Sequence, residues 1–199
     1  MQFPKNLENF IKAFSKLPGI GVKTSERLGF YLLTKPLEYT ENLSNAIKYL
    51  KEKTGTCETC GALSDQEDCP ICSNSMRDRS VICVVENPAD IYYIESTRTF
   101  NGLYHVLGGV ISPLNGVTPN DLTIEGLLKR TRDTELKELI FATSPTTEGD
   151  TTVLYIKEML VERLIKITHL ARGIPVGTGL QYAGSGSLSQ AIKNREEIK

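Results

Sequence analysis

Several features that mark common classes of protein are missing from this 199-residue sequence. No stretch approaches the roughly 18 consecutive apolar residues of a membrane span, so a membrane protein is not expected. The N-terminus MQFPKNLENF carries charges and lacks the apolar run of a secretory signal, so a cytoplasmic protein is expected. No Gly-Lys pair occurs in the chain, which excludes the phosphate-binding loop of the common ATPases and GTPases.

Net charge is also nearly absent. The formal value is −1, which argues against a protein that coats nucleic acid through bulk charge. The charge is nevertheless segregated, because residues 1–53 contain nine basic side chains against five acidic ones, an excess of four. This local excess favours an N-terminal region that faces phosphate groups.

Cysteine is scarce but strongly patterned. Four of the five cysteines form two CxxC pairs, Cys57 with Cys60 and Cys69 with Cys72, separated by eight residues. Four thiolates at this spacing complete the tetrahedral shell of one Zn²⁺ and leave no position for a substrate, so the predicted metal is structural. The alternative, a pair of disulfides, requires an oxidising compartment, which the N-terminus does not support. The fifth, Cys83, lies in an apolar run and is expected in the core.

The N-terminal region has the periodicity of helices. Apolar residues recur at helical spacing from Leu7 to Leu17, and the sequence Pro-Gly-Ile-Gly then interrupts the pattern. A second helix, capped by Thr24 or Ser25, is predicted to end near position 35, and a third is predicted around 43–50.

Two helices joined by Pro-Gly-Ile-Gly are typical of a helix-hairpin-helix, in which Gly19 and Gly21 let backbone N–H groups approach a phosphate closely. Lys23 and Arg27 are four residues apart, so both side chains can point toward the same nucleic-acid backbone. The pattern predicts a DNA contact that does not depend on base sequence. A tight turn between two core helices, with ordinary solvated charges, is the alternative.

After the cysteines, short apolar runs alternate with amphipathic stretches, a pattern that predicts an α/β fold with a parallel sheet layered with helices. His105 and His169 lie inside predicted strands and are expected to pack in the core rather than act as bases. The last twenty residues are glycine-rich and become weakly helical. The predicted strands cover 80–85, 103–107, 139–143 and 165–170.

Three acidic residues are predicted at one edge of this sheet. Glu86 directly follows the first strand, and open α/β sheets place their sites at the carboxyl ends of strands. Glu148 and Asp150 follow the strand at 139–143, so the three carboxylates converge if the two strands are neighbours. Such a cluster suits Mg²⁺. The alternative is that Glu148 and Asp150 complement the positive end of the helix that they precede, while Glu86 is an isolated solvated acid.

In their order along the chain, the hairpin, the four cysteines, VVENPADI at 84–91 and ATSPTTEGD at 142–150 resemble the RecR family of bacterial recombination mediators. The resemblance covers nearly the whole chain. It implies a Toprim domain, the fold shared with topoisomerases and primases, with Glu86, Glu148 and Asp150 in its acidic positions. The implied organisation is a helix-hairpin-helix DNA-binding region at 1–53, a four-cysteine zinc finger at 54–79, the Toprim domain at 80–175 and a C-terminal segment at 176–199 that contacts a neighbouring subunit.

The resemblance also implies a tetrameric ring that encircles or clamps DNA, with Lys23 and Arg27 facing the DNA. Members of the family act with RecO, and in some bacteria RecF, to load RecA onto single strands covered by single-strand binding protein. Their Toprim domain serves mainly as a docking surface.

Two departures from the family and fold patterns bear on catalysis. Toprim enzymes usually show Asp-x-Asp where this chain has Glu148-x-Asp150. Near the C-terminus the family commonly reads Gly-Gly-Glu-Leu-Glu-Tyr, whereas positions 177–182 here read Gly-Thr-Gly-Leu-Gln-Tyr. Both acids are missing, which argues against a nucleotide or metal role for this segment.

Three functional hypotheses follow. The first is a non-enzymatic DNA clamp and loading factor in recombinational repair. The second is a Mg²⁺-dependent nuclease or strand-passing enzyme built on the acidic residues. It is less favoured because none of the eight tyrosines has a recognisable nucleophile setting beside them. The third is a protein-binding adaptor in which the hairpin is only structural.

Overall fold

The computed structural model describes residues 3–133, 135–161, 163–195 and 197. The chain divides into two compact units, Met1–Thr54 and Gly55–Lys199. None of the helices in the described part of the chain combines the length and the apolar character needed to cross a membrane.

From residue 3 onward, the N-terminal unit contains three helices, α1 (Lys5–Phe14), α2 (Val22–Leu33) and α3 (Leu37–Lys53), which confirms the predicted number. The predicted cap of α2 is wrong, because the helix begins one turn earlier with Gly21 as its N-cap. Ser25 is buried, and its hydroxyl donates a hydrogen bond to the carbonyl of Gly21 over 3.0 Å. Gly29 lies one turn further along α2, where a Cβ would stand 2.6 Å from Leu7 Cδ1. The missing side chain therefore lets α1 and α2 pack closely.

In its described residues, the C-terminal unit contains one small antiparallel ribbon and a four-stranded sheet in which all strands are parallel. The strand order is β4-β3-β5-β6, which confirms the predicted parallel α/β architecture. The elements are β1 (Gly55–Thr56), β2 (Leu63–Ser64), β3 (Asp78–Val85), α4 (Pro88–Ser96), β4 (Gly102–Val106), α5 (Ile124–Arg130), β5 (Glu138–Ala142), α6 (Thr147–Glu158), β6 (Lys166–His169) and α7 (Ser185–Lys193).

Both faces of the sheet are buried. Val84 of β3 belongs to one apolar cluster with Leu127 of α5 and Ile156 of α6. Its neighbour Val85 points to the opposite face and belongs to a second cluster with Ile91 of α4. This cluster also contains the four cysteines of the two CxxC pairs, which together are called the cysteine knuckle below. Alternation along the strand therefore gives each face its own core, as a parallel sheet requires.

Three residues that were predicted to be in the core can be compared directly. Cys83 is fully buried, which raises the pKa of its thiol to about 12, and His105 is buried in β4. Both predictions are confirmed. For His169 the prediction is wrong, because this residue is exposed at the end of β6. β6 is an edge strand of four residues with a single neighbour, and the His169 ring nitrogen Nδ1 lies 2.8 Å from the carbonyl oxygen of Leu170.

Candidate nucleic-acid interface and metal centre

The turn between α1 and α2 has the backbone geometry of a tight hairpin. Gly19 has a φ of +77°, in the left-handed region that favours glycine, and the N–H of Ile20 donates to the carbonyl of Leu17 over 3.1 Å. A Cβ at Gly19 or Gly21 would meet no atom within 4 Å. Both glycines therefore face open space on the solvent side of the turn.

The N-terminus of α2 carries backbone donors that the helix does not satisfy. The first intrahelical bond runs from the N–H of Ser25 to the carbonyl of Gly21, so the N–H groups of the three preceding residues have no helical carbonyl. Within the described residues, no side chain caps this end, and the first turn contains no acidic residue. An uncapped helix start that combines free N–H groups with the positive end of the dipole favours an anion.

Lys23 and Arg27 are exposed beside this helix start. Ser25 and Gly29 form the buried face of α2, and a shift of two residues corresponds to about 200° around the helix, so the two cations point away from α1. Neither cation forms an ion pair within the part of the chain that the structure describes. The arrangement fits the predicted phosphate contact, which stays a prediction.

The four cysteines of the two CxxC pairs form the predicted metal-binding group. Their sulfur atoms all lie within 4.8 Å of one another, and the four residues are buried. The Sγ atoms of Cys60 and Cys69 are 3.6 Å apart. A tetrahedron with Zn–S bonds of about 2.3 Å has S–S edges of about 3.8 Å, so the donor set and its spacing fit Zn²⁺. Four protein ligands leave no position for a substrate, and such a metal would stabilise the fold.

Short hydrogen-bonded turns hold the sulfur atoms in place. The N–H of Ala62 lies 3.4 Å from Cys60 Sγ, and the N–H of Cys72 lies 3.5 Å from Cys69 Sγ. A hydrogen bond from the Cys72 thiol, with smaller contributions from backbone and other thiol donors, lowers the pKa of Cys60 to about 5. The N–H of Val106 donates to the carbonyl of Cys60 over 2.8 Å, which joins the knuckle to strand β4.

The three acidic residues lie near the carboxyl edge of the sheet, as predicted, but their carboxylates do not converge. β3 and β5 are neighbours, with Val85 opposite Ala142, so the condition for convergence is met. Within the described residues, however, the cysteines are the only group of three or more potential ligands close enough to share an ion. Glu86, Glu148 and Asp150 are thus not gathered into one ligand group here, and a Mg²⁺ site on them stays a prediction.

The path of the loop after β5 explains this difference. The carboxylate of Glu86 accepts a hydrogen bond from the N–H of Ser144 over 2.5 Å, which draws the loop across the end of β3. Thr146 is the N-cap of α6, and its hydroxyl oxygen accepts from the N–H of Gly149 over 3.1 Å. A Cβ at Gly149 would stand 2.2 Å from the carbonyl oxygen of Ser144. The loop is therefore tightly wound, and it places Glu148 and Asp150 in the first turn of α6, where they complement the helix dipole.

Sequence reasoning did not identify Arg172 as part of this edge. Its guanidinium forms a two-pronged ion pair with Asp150, with Nη1 3.0 Å from Oδ2, and it lowers the pKa of that carboxyl. The available signal was its position shortly after β6. The carboxyl ends of parallel strands meet at one edge of the sheet.

His105 also has partners that the sequence did not indicate. Its Nε2 lies 3.0 Å from the hydroxyl and 3.1 Å from the carbonyl of Thr123, while its Nδ1 faces Arg130 Nη1 at 3.3 Å. Arg130 can only donate, so Nδ1 accepts and Nε2 carries the proton. Burial, reinforced by the charge of Arg130, lowers the pKa of His105 to about 4. The imidazole is neutral and structural.

Comparison with known proteins agrees with this geometry. A family profile described as RecR, helix-hairpin-helix, matches residues 7–50, and one described as Toprim domain matches residues 80–171. The fold and its sites thus define a Toprim protein with a helix-hairpin-helix and a four-cysteine metal knuckle. Relatives named Recombination protein RecR are similar over almost the entire chain.

The relative from Bifidobacterium adolescentis is 45% identical over 192 residues and that from Bifidobacterium longum 46% over 191, each covering 96% of both chains. The relative from Pelotomaculum thermopropionicum is 43% identical over 197 residues, which cover 99% of this chain and 98% of its own. The chain belongs to the RecR family of recombination proteins.

Proposed function

We propose that this protein is a non-enzymatic DNA clamp in recombinational repair, which helps to load RecA onto single-stranded DNA together with RecO and, where present, RecF. The observation that carries the proposal is the uncapped start of α2, where free N–H groups, two open glycines and two exposed cations share one surface. Every ligand feature of this surface suits a phosphate, and none can distinguish one base from another.

The contact of a single hairpin with DNA is weak in this proposal. Two cations and a helix start neutralise only a few phosphates, and non-specific binding of this kind depends strongly on salt. A homotetrameric ring would place several hairpins on one strand, and linked contacts raise the effective concentration of each next contact. Weak single contacts then suffice for a clamp that stays on DNA within the nucleoid.

The second unit supplies rigidity and a docking surface in this scheme. The knuckle residues would hold Zn²⁺ as a closed structural centre, and that centre supplies fold stability without an open site for chemistry. Glu86 and Asp150 support a non-enzymatic role, because both carboxylates are engaged by groups of the same chain, one by a backbone N–H and the other by a guanidinium. The partner RecO would dock on this unit.

The test combines DNA binding with DNA integrity. Wild-type protein is mixed with supercoiled plasmid and with a single-stranded oligonucleotide, with and without Mg²⁺, and both mobility and topology are scored. We expect shifted DNA whose chemistry and topology are unchanged. Lys23→Ala with Arg27→Ala should abolish the shift, whereas the matched pair Lys48→Ala with Lys51→Ala, on exposed positions of α3, should retain it. Nicked or relaxed DNA that requires Glu86 would contradict the proposal.

A second assay addresses the loading step. RecA filament growth on oligonucleotides covered by single-strand binding protein is measured with RecO, with and without this protein. We expect faster nucleation with the wild type and none of that gain with the hairpin double variant. If the protein bound DNA normally but did not accelerate RecA nucleation, the loading role would be refuted and only a DNA-binding role would be supported.

A further inference from the structure

The acidic edge of the parallel sheet does not fit the Mg²⁺ that the Toprim fold implies. A magnesium site uses one or two carboxylates whose remaining lone pairs face the ion and its waters. Here the carboxylate of Glu86 accepts the N–H of Ser144, and both oxygens of Asp150 face the guanidinium of Arg172. From this disagreement we infer that Arg172 is the resident cation of the edge and takes the place on Asp150 that a divalent ion would need.

The geometry of the pair supports this assignment. Two nitrogens of Arg172 face two oxygens of Asp150, the fork arrangement in which a guanidinium matches a carboxylate best. The side chain of Arg172 is only 19% exposed, whereas that of Asp150 is 51% exposed. The cation is therefore the more firmly enclosed partner, and it is not an ordinary solvated surface charge.

Arg172 is also fixed through its backbone. Its carbonyl accepts a hydrogen bond from the side-chain amide of Asn194, just after α7, over 3.3 Å. The next residue, Gly173, lies beside Ala191 of α7, where a Cβ would stand 3.9 Å from the alanine Cβ. The ion pair thus connects α6 through Arg172 to the C-terminal helix, a connection that a metal ion on Asp150 would have to displace.

A divalent ion and the guanidinium compete for one carboxylate, which gives a direct test. Mn²⁺, which prefers the same oxygen ligands as Mg²⁺, is titrated into zinc-loaded full-length protein, and free Mn²⁺ is measured from its EPR signal. We expect wild type and Asp150→Asn to give the same isotherm, because Asp150 is not a ligand. Arg172→Gln should bind Mn²⁺ about fivefold more tightly, the scale of a partly exposed ion pair. Adding Asp150→Asn to that variant should remove the gain.

Two controls separate this exchange from general effects. Lys157→Gln removes one exposed positive charge from the far end of α6, so it should leave the isotherm unchanged. Arg172→Lys keeps the positive charge but cannot form the two-pronged ion pair, so its Mn²⁺ affinity should lie between those of wild type and Arg172→Gln. A wild-type Mn²⁺ site that Asp150→Asn abolishes would overturn the inference, and so would an Arg172→Gln isotherm identical to wild type.

An independent readout does not depend on metal. The carboxyl resonance of Asp150, followed by NMR against pH, should titrate below the ordinary aspartate range in the wild type because the guanidinium favours the ionised form. In Arg172→Gln the midpoint should move upward toward that range. An unchanged midpoint in a variant with native circular dichroism would refute the role of Arg172, whatever the DNA assays show.

Discussion

Two helix N-termini in this molecule are built in opposite ways. α2 has Gly21 as its N-cap residue, has no side-chain cap in the described structure, and has Lys23 in its first turn. α6 has Thr146 as its N-cap residue, whose hydroxyl caps the helix, and has Glu148 and Asp150 in its first turn. A helix start whose donors and dipole are satisfied from within has little left to offer an external anion, whereas an unsatisfied one is available for binding.

The difference teaches how one backbone feature can serve binding in one unit and stability in another. α2 lacks the stabilisation that a side-chain cap provides, typically about 1 kcal/mol, and its first N–H groups are therefore available to a ligand. At α6 one of the corresponding donors, the N–H of Gly149, is capped by the chain. The carboxylate of Glu86 accepts a backbone N–H, and that of Asp150 is paired with a guanidinium. Four predictions test this contrast.

The largest effect should come from making α2 resemble α6. Val22→Glu places a carboxylate in the first turn of α2 at an exposed position. Repulsion of phosphate should lower DNA affinity at least about tenfold, while the favourable dipole interaction leaves the fold as stable as before or slightly more stable. Fluorescence anisotropy with labelled single-stranded DNA measures the first effect and urea unfolding the second.

A matched variant makes this result specific. Asn45→Glu adds the same charge at an exposed position on α3 and should change DNA affinity much less. Equal losses in the two variants would show that bulk charge, and not the helix start, controls binding.

Removing the cap of α6 should affect stability alone. Thr146→Ala leaves the N–H of Gly149 without its hydroxyl partner, which should cost about 1 kcal/mol in the free energy of unfolding. The urea midpoint is the measurement, with the exposed neighbour Thr147→Ala as the control. DNA affinity should not change, and a parallel loss of affinity would mean that α6 also contributes to binding.

The ion pair between Arg172 and Asp150 should make the free energy of unfolding depend on pH. Arg172 depresses the pKa of Asp150 in the folded state, so its contribution is fully present above the unfolded aspartate pKa of about 3.9 and is lost as pH falls through the lower folded value. Arg172→Gln should therefore be less stable than wild type at neutral pH, and the difference should shrink below about pH 4. Urea midpoints across this range provide the check, and a constant difference would contradict it.

The smallest effect should be a change in salt dependence. Loss of one phosphate contact should reduce the slope of log affinity against log salt by about 0.7 to 0.9. Lys23→Ala and Arg27→Ala should each show this reduction, because both cations lie on the face of α2 away from α1. Lys48→Ala should leave the slope unchanged. If Lys23→Ala and Arg27→Ala also gave the wild-type slope, Lys23 and Arg27 would not contact phosphates.

The features that were predictable from sequence depend on local patterns. Apolar runs after the cysteine pairs locate the four parallel strands to within about two residues. The signal is strongest for the inner strands, because a strand covered on both faces is largely apolar. CxxC spacing predicts the sulfur cluster, because two tight turns bring each pair of thiols together. The hairpin glycines were recognisable because a φ of +77° at Gly19 favours that residue.

The errors arise where the result depends on distant contacts. Serine is common at helix caps, which favours Ser25 as the cap of α2, yet this residue lies on the buried face of the helix together with Gly29. Strand order favours convergence of the carboxylates, but Asp150 is paired with a cation 22 positions further along the chain. No local pattern reports the path of the backbone that brings Arg172 to that point.

The bond between Cys60 and Val106 has a consequence for the solubility of the protein. β4 lies at one margin of the sheet, where unpaired backbone groups can recruit a strand from another molecule. The knuckle lies against this margin, and Gly61 approaches so closely that a Cβ there would stand 3.1 Å from that of Val106. The cysteine knuckle therefore covers part of an edge strand, and we expect that disrupting the four cysteines would expose β4 to intermolecular strand pairing and aggregation.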